Sequence, residues 1–366
     1  MDVSNPLEKE IAMTIKPSTA PRLLAVLTLA ALAGCSGGSS DSNAKRLTIF
    51  AGDANTPGFA DAAGTAARFH GLEGVSSDFA GNLYLGDSLN ARVRKVTPAG
   101  VVTTLAGSGS PNTITDGQGA SAGFFGPRAI AIDPTGTRLA VADSAPPTSI
   151  VPIGTDVVLG AVRWVSIADG TVSTFIPPNA TYPQSVAYDG FGNLFTGYAT
   201  CSPGSFTDCS YGISRVVGGD AIVNGPWPAN VRSSSMVTDN LGNLYVASAD
   251  RNTITRFSNG GITVFAGADG VAGSRDGAGT AARFNGPTGL TIDRDNNLYV
   301  ADSKNFTVRK ITSMGMVSTV AGVAGMQGFV EGELPGSLAT PTAVEVVGND
   351  LFIVMRNGIA VVRDRP

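Results

Sequence analysis

The chain has 366 residues, 43% of them hydrophobic and 15% charged, with 47 glycines and 21 prolines. That is ample apolar content for a core, interrupted often by turn formers, which reads as a globular, turn-rich, all-β chain. A formal net charge of −4 supplies no broad positive field, which argues against nucleic acid or an anionic lipid surface as a partner.

In chain order, residues 1–34 read as an export signal. Residues 23–33 (LLAVLTLAALA) form an apolar run behind Lys16 and Arg22, too short to span a bilayer but suited to a secretory signal. The residues before Met13 are acidic, whereas a start at Met13 leaves the basic stretch MTIKPSTAPR, so translation is expected to begin there. The run ends in Leu32-Ala33-Gly34-Cys35, which resembles the lipobox of bacterial lipoproteins. That resemblance implies that Cys35 is lipidated and becomes the mature N-terminus. Ser36, standing where Asp would favour the inner membrane, implies a periplasmic or surface-facing protein anchored in the outer membrane. Residues 35–45, with Ser36-Gly37-Gly38-Ser39-Ser40, read as a flexible tether. Contact with the membrane is expected only through the lipid.

A repeated phrase follows. Residues 82–95 read NLYLGDSLNARVRK and residues 297–310 read NLYVADSKNFTVRK. A leucine after a turn recurs at Leu83, Leu139, Leu194, Leu244, Leu298 and Leu351, at intervals of 50–56 residues. Asp78, Asp133, Asp189, Asp239 and Asp293 stand five or six residues ahead of the first five. In the fifth unit, strands are predicted over residues 289–292, 298–301, 307–311 and 317–321, with a tight turn over 293–297. Such a sheet cannot bury both faces alone, so neighbouring units must stack on it. The sixth unit stops after residues 358–362 with no counterpart to the strand at 101–107. Residues 47–52 (LTIFAG) supply the missing piece, so the N-terminal strand is expected to complete the last sheet and close a ring.

The segment GPTGLTIDRDNNLYVADSKNFTVRK, residues 286–310, resembles an NHL repeat. The likeness is specific in units one and five and fades in units three and six, where Thr196-Gly197-Tyr198 and Met355-Arg356-Asn357 replace the Ala-Asp-Ser element. It implies an all-β, six-bladed NHL-type β-propeller of four-stranded antiparallel blades over residues 46–366.

In that architecture the innermost strands line a central channel. Counting about ten residues back from each marker leucine gives a candidate ligand-binding rim of Glu73, Arg128, Gln184, Ser234, Thr288 and Thr342. One acid, one base and four neutral groups make a hydrogen-bonding rim rather than a metal cage, and Glu73 is positioned to pair with Arg128. The repeated phrase GTAARF (residues 64–69 and 279–284) suggests that Phe69, Phe284 and Phe125 plug the spaces between blades, with Arg68 and Arg283 each pairing a neighbouring Asp. Asp87-Ser88, Asp143-Ser144 and Asp302-Ser303 read as turn-capping pairs on the rim's face. Arg92, Arg94 and Lys95 alternate along a strand, so their charges divide between two faces and form no nucleic-acid patch.

With Cys35 assigned to lipid, Cys201 and Cys209 in CSPGSFTDC are expected to form a disulfide in an oxidising compartment. His70, the single histidine, reads as a loop residue. It cannot supply the several His ligands that the NHL-like peptidyl-hydroxyglycine lyase uses for zinc. Gluconolactonase-like propellers hold a divalent cation with carboxylate and Asn oxygens. Glu73 resembles the start of their first ligand motif, but Gln184, Ser234, Thr288 and Thr342 offer no further carboxylate. The expected function is therefore a monomeric, non-catalytic binding module without catalytic residues, metal or cofactor. Its interblade-loop face would dock a protein, peptide or glycan of the cell envelope. The alternative is a metal-dependent lactone hydrolase working in the channel.

Overall fold

Asp78 shows why the repeated phrase begins where it does. Its Oδ1 accepts the backbone N–H groups of Ala80 and Asn82, and its Oδ2 accepts the Asn82 side-chain amide at 2.7 Å and the Tyr84 hydroxyl at 3.0 Å. One carboxylate thus fixes a tight turn and the first residues of the strand leaving it. Asp189, Asp239 and Asp293 repeat the arrangement with Asn193, Asn243 and Asn297. Asp133 has no Asn to take and uses Thr135 and Thr137. The marker leucine that follows each turn is buried in all six units.

The computed structural model describes residues 44–111, 113–144, 160–176, 181–201, 209–217, 221–223, 231–259 and 261–366. The predicted signal segment, most of the tether and Cys35 lie outside them. The described strands form six antiparallel sheets. In the first, β2 (Leu72–Ser77), β3 (Leu83–Asp87), β4 (Arg92–Val96) and β5 (Val102–Ala106) lie side by side in chain order. The fifth repeats this with Pro287–Ile292, Leu298–Asp302, Thr307–Ile311 and Met316–Ala321, within two residues of each predicted boundary. Three sheets gain a two-residue fifth strand from a connection, Gly117–Gln118, Gly277–Ala278 and Gly332–Glu333, which covers an outer edge. The architecture is a six-bladed, all-β propeller. Its core is divided into layers between blades: Tyr299 and Val308 of the fifth, for example, pack with Val344, Leu351 and Ile353 of the sixth.

The ring closes through β1 (Arg46–Gly52), which pairs antiparallel with Gly358–Val362 in the sixth blade. Ile49 stands opposite Ala360 and Leu47 opposite Val362. The N-terminal strand completes the last sheet, as the missing fourth strand of unit six implies.

The close of the repeated phrase, Val-Arg-Lys, has a role that charge alternation did not reveal. Arg94 is fully buried; its Nη1 meets Asp87 Oδ2 at 2.6 Å and its Nη2 meets Asp61 Oδ1 at 2.6 Å. The guanidinium lies 5.1 Å from the Phe69 ring centroid. Arg163 with Asp143, Asp116 and Phe124, and Arg309 with Asp302, Asp276 and Phe284, build the same latch in blades two and five. Each latch ties the loop after a second strand to the connection entering the blade. Burial pushes the Asp87 and Asp302 carboxyls up, and that of Asp143 up to about 6, against the hydrogen bonds and guanidinium that favour the charged form.

The structure departs from two expectations. The plug between blades one and two is Phe124, fully buried, while Phe125 is partly buried against the Tyr182 cluster. Among the described residues neither Arg68 nor Arg283 forms a salt bridge with an Asp: each folds back on its own turn, donating to Thr65 O and Ala67 O, or to Thr280 O and Ala282 O. The Asp partners go to Arg94 and Arg309 because only those guanidinium groups sit in the buried layer where both carboxylates converge. The Asp-Ser aspartates are structural, but Asp87 Oδ1 takes the His70 N–H of the incoming connection at 2.8 Å as well as bonding within its own turn.

Candidate functional site

An innermost strand has a free edge facing the channel, so its backbone groups need partners from elsewhere. Side-chain oxygens of the neighbouring blade provide many of them. Ser76 Oγ accepts the Ile132 N–H at 3.1 Å, Ser235 Oγ accepts the Leu290 N–H at 3.1 Å, and Thr238 Oγ1 donates to Tyr188 O at 2.9 Å. The inner strands are consequently rich in Ser and Thr, and the blades pack closely. A Cβ on Gly74 would fall 2.3 Å from Arg128 O, so only glycine lets the second blade approach beside Glu73 at this separation.

That approach brings the first two rim residues together: Arg128 Nε donates to Glu73 Oε2 at 2.7 Å, with both side chains partly exposed. Thr288 Oγ1 hydrogen-bonds to Ser303 Oγ and lies 2.9 Å from Thr342 O. Thr342 Oγ1 donates to Val354 O, and Ser234 Oγ accepts the Ala249 N–H at 3.2 Å. All six candidate rim residues, Glu73, Arg128, Gln184, Ser234, Thr288 and Thr342, line one cavity of about 540 Å³ at the channel mouth. Ser144 and Ser303 line it too, which puts those Asp-Ser elements on the same face.

Several lining residues were missed by counting back from the leucines, because they come from other strands and loops. Arg232, Asp250, Lys304 and Arg356 stand at the mouth with exposed side chains. Asp250 and Lys304 follow the ends of second strands, and Arg356 sits in the tight turn Met355-Arg356-Asn357 that was noted only as a departure from the repeat. Blade three contributes an apolar wall of Tyr182, Tyr211 and the disulfide joining Cys201 to Cys209, which face each other across adjacent strands. The rim alone suggested a near-neutral mouth; the described residues instead place four cations there, Arg128, Arg232, Lys304 and Arg356, against the acids Glu73 and Asp250.

Among the described residues no three His, Cys, Asp or Glu side chains gather as a metal-holding group. Glu73 is engaged by Arg128, and His70 sits in the incoming connection, where its backbone N–H serves Asp87.

Three residues along the strand from Thr342 and so about 10 Å away, Glu345 ties three blades together. Its Oε1 accepts the Ser77 N–H at 2.9 Å and the Ser77 hydroxyl at 2.7 Å, and Thr291 Oγ1 reaches its Oε2 at 3.3 Å. Burial away from water pushes its carboxyl up to about 7, against the Ser77 and Thr291 hydrogen bonds that favour the charged form. A folded state that holds this proton more tightly than the unfolded chain gains stability below pH 4.5, the group's ordinary value, and loses it as pH rises through about 7. Glu345→Gln keeps an acceptor for Ser77 and removes the charge. Between pH 5 and 8 its melting temperature should therefore fall less than that of the wild type, leaving the variant relatively more stable at pH 8. Parallel melting curves in that interval would contradict the assignment.

Residues 284–311 match the family model of the NHL repeat. No curated protein matches the chain in sequence. Solved structures with a similar fold include a structural genomics protein of unknown function from Bacteroides thetaiotaomicron, at a TM-score of 0.66 and 18% identity, covering 87% of this chain and 76% of that one. An auxiliary nutrient binding protein from Bacteroides ovatus superposes with a TM-score of 0.65 and 16% identity over 87% of this chain and 76% of the other. A gluconolactonase from Xanthomonas campestris gives 0.55 and 16% over 89% and 96%. At these identities the likeness establishes the fold and nothing finer.

Proposed function

The chain is a six-bladed β-propeller carrying an NHL repeat, and from that premise we propose that it is a non-catalytic binding module. It would dock a protein, peptide or glycan of the cell envelope at the channel mouth and on the interblade loops around it. The observation that carries this reading is the convergence of polar side chains from all six blades on one cavity of about 540 Å³, a size suited to a modest ligand. A rigid ring presenting groups already oriented by hydrogen bonds loses little freedom on binding. The nutrient-binding name of one propeller of similar fold accords with the reading. We also propose that Cys35 carries a lipid, that residues 35–45 act as a tether giving the disc reach, and that the protein is a monomer facing outward from the outer membrane.

The second reading, a metal-dependent lactone hydrolase, draws on Glu73 and on the gluconolactonase of similar fold. The donor set fits it poorly. The carboxylate of Glu73 already faces a guanidinium, and a mouth with more cations than acids repels a divalent ion.

Two experiments separate the readings. Wild-type protein immobilised in an envelope extract should retain a partner that the Glu73→Gln/Arg128→Gln variant loses. Thermal stability should barely move, because a partly exposed pair contributes about 0–1 kcal/mol. Equal capture by both proteins would remove the mouth from the binding surface. Purified protein supplied with Ca²⁺, Zn²⁺ or Mn²⁺ should leave simple lactones intact; chelator-sensitive hydrolysis would favour the second reading.

A further inference from the structure

Resting on the binding reading above, we infer that the channel mouth takes an anionic saccharide, a sugar ring bearing a carboxylate or sulfate group. The first observation is charge. The whole chain is acidic, with a net charge of −4, yet the described residues lining the mouth number four cations and two acids. Arg128 is matched by Glu73. Arg232, Lys304 and Arg356 come from three successive blades, four, five and six, and make no ion pair among the described residues; the second acid, Asp250, stands exposed on the same arc without a salt bridge to any of them. Three cations against the one acid Asp250 leave this arc a surplus of two positive charges, which makes it a site for a negative group, and guanidinium forks suit the planar geometry of a carboxylate.

The second observation is that two of these cations are positioned in advance. The Arg232 guanidinium lies 5.7 Å from the Tyr211 ring centroid. The stem of Lys304 packs over Gly286, where an added Cβ would come within 3.0 Å of its Cδ, so its ammonium is carried to the mouth on a pinned aliphatic arm. The equivalent position in the first blade is Leu89 over Gly71. The same packing site therefore holds an apolar residue in blade one and a charge at the mouth in blade five.

The third observation is the apolar wall. Tyr182, Tyr211 and the disulfide form a patch on blade three, next in the ring to the arc of cations. Aromatic faces beside charge-bearing groups match a ligand with an apolar ring face and an anionic substituent. A neutral sugar would leave the cations unused, and a simple anion would leave the wall unused.

Binding of trigalacturonate, of a neutral glucose trisaccharide and of citrate to the full chain, measured by calorimetry, tests the inference. Trigalacturonate should bind at least tenfold more tightly than either of the others, and its affinity should fall as NaCl is raised from 50 to 500 mM. The Lys304→Gln/Arg356→Gln variant should bind it at least tenfold more weakly with an unchanged melting temperature, since both side chains are exposed. Equal affinity for the neutral sugar or for citrate, no binding of trigalacturonate, or full affinity in the variant would overturn the inference. The envelope capture with Glu73→Gln/Arg128→Gln reads the binding role separately: a partner captured there while trigalacturonate fails leaves that role standing and removes only the anionic saccharide.

Discussion

Exchanging Arg309 for methionine should destabilise the propeller by about 3–5 kcal/mol, the cost of leaving a buried charge without its partner. The side chain is wholly buried and meets Asp302 at 2.9 Å, Asp276 at 2.5 Å and the carbonyl of Arg283 at 3.0 Å. Methionine fills much of the same volume, so the loss would be electrostatic rather than a cavity. Asp302, whose carboxyl burial already pushes up, would have to take a proton or find water. The sixth blade indicates what should rescue it. At the register positions of Asp87 and Arg94 it carries Met355 and Ala360, both buried and apolar. An Asp302→Met/Arg309→Met double variant should therefore recover a large part of the loss, because replacing both partners removes the unpaired charge. Urea midpoints of the wild type, single and double variants measure this. A single variant within about 1 kcal/mol of wild type would mean that the latch does not pin the blade.

Disrupting the closing strand should cost as much or more. Leu47 is fully buried among Leu338, Leu351, Ile353 and Val362, and Leu47→Ala is expected to cost about 2–5 kcal/mol. Removing residues 44–52 goes further: it uncovers the edge of Gly358–Val362 and a face of the core layers on both sides of the sixth blade. The shortened chain should lose cooperative thermal unfolding and associate through its bare edge. Calorimetry with light scattering reads both effects. A truncated chain that melts as one transition at the wild-type temperature would show that the ring holds without its joint.

These two features were unequally legible in the sequence. The closing strand could be inferred because a repeat that lacks its last strand at one end and has a spare at the other poses a counting problem with one solution. The six rim residues also came from counting, since β-structure fixes register once a marker leucine is known. The latches did not, because Asp61, Asp116 and Asp276 lie in connections whose path the repeat does not constrain. Arg94 within a strand looks like any solvent-facing base until the blade packed beside it is known. Phe124 and Phe125 differ by one position, which is enough to send one ring into the layer between blades one and two and the other against the Tyr182 cluster of blade three. Arg232, Lys304 and Arg356 escaped for the opposite reason: they occupy turns and strand ends where the units of this chain differ from one another, as Leu89 and Lys304 do, which is also where a binding preference can be written without disturbing the fold.

The joint between β1 and Gly358–Val362 also sets a timetable. Arg46–Gly52 is among the earliest described segments to be made, and its hydrogen-bonding partner is among the last. At synthesis rates of roughly 5–20 residues per second the wait is on the order of 15–60 s. Throughout it, the β-prone sequence RLTIFAG has no native neighbour and is free to pair with another nascent copy. If the chain folds as it is made, conditions that slow elongation should lower the yield of correctly folded protein more than they lower total synthesis; equal losses would show that the joint forms only once the whole chain is available, as export ahead of folding requires.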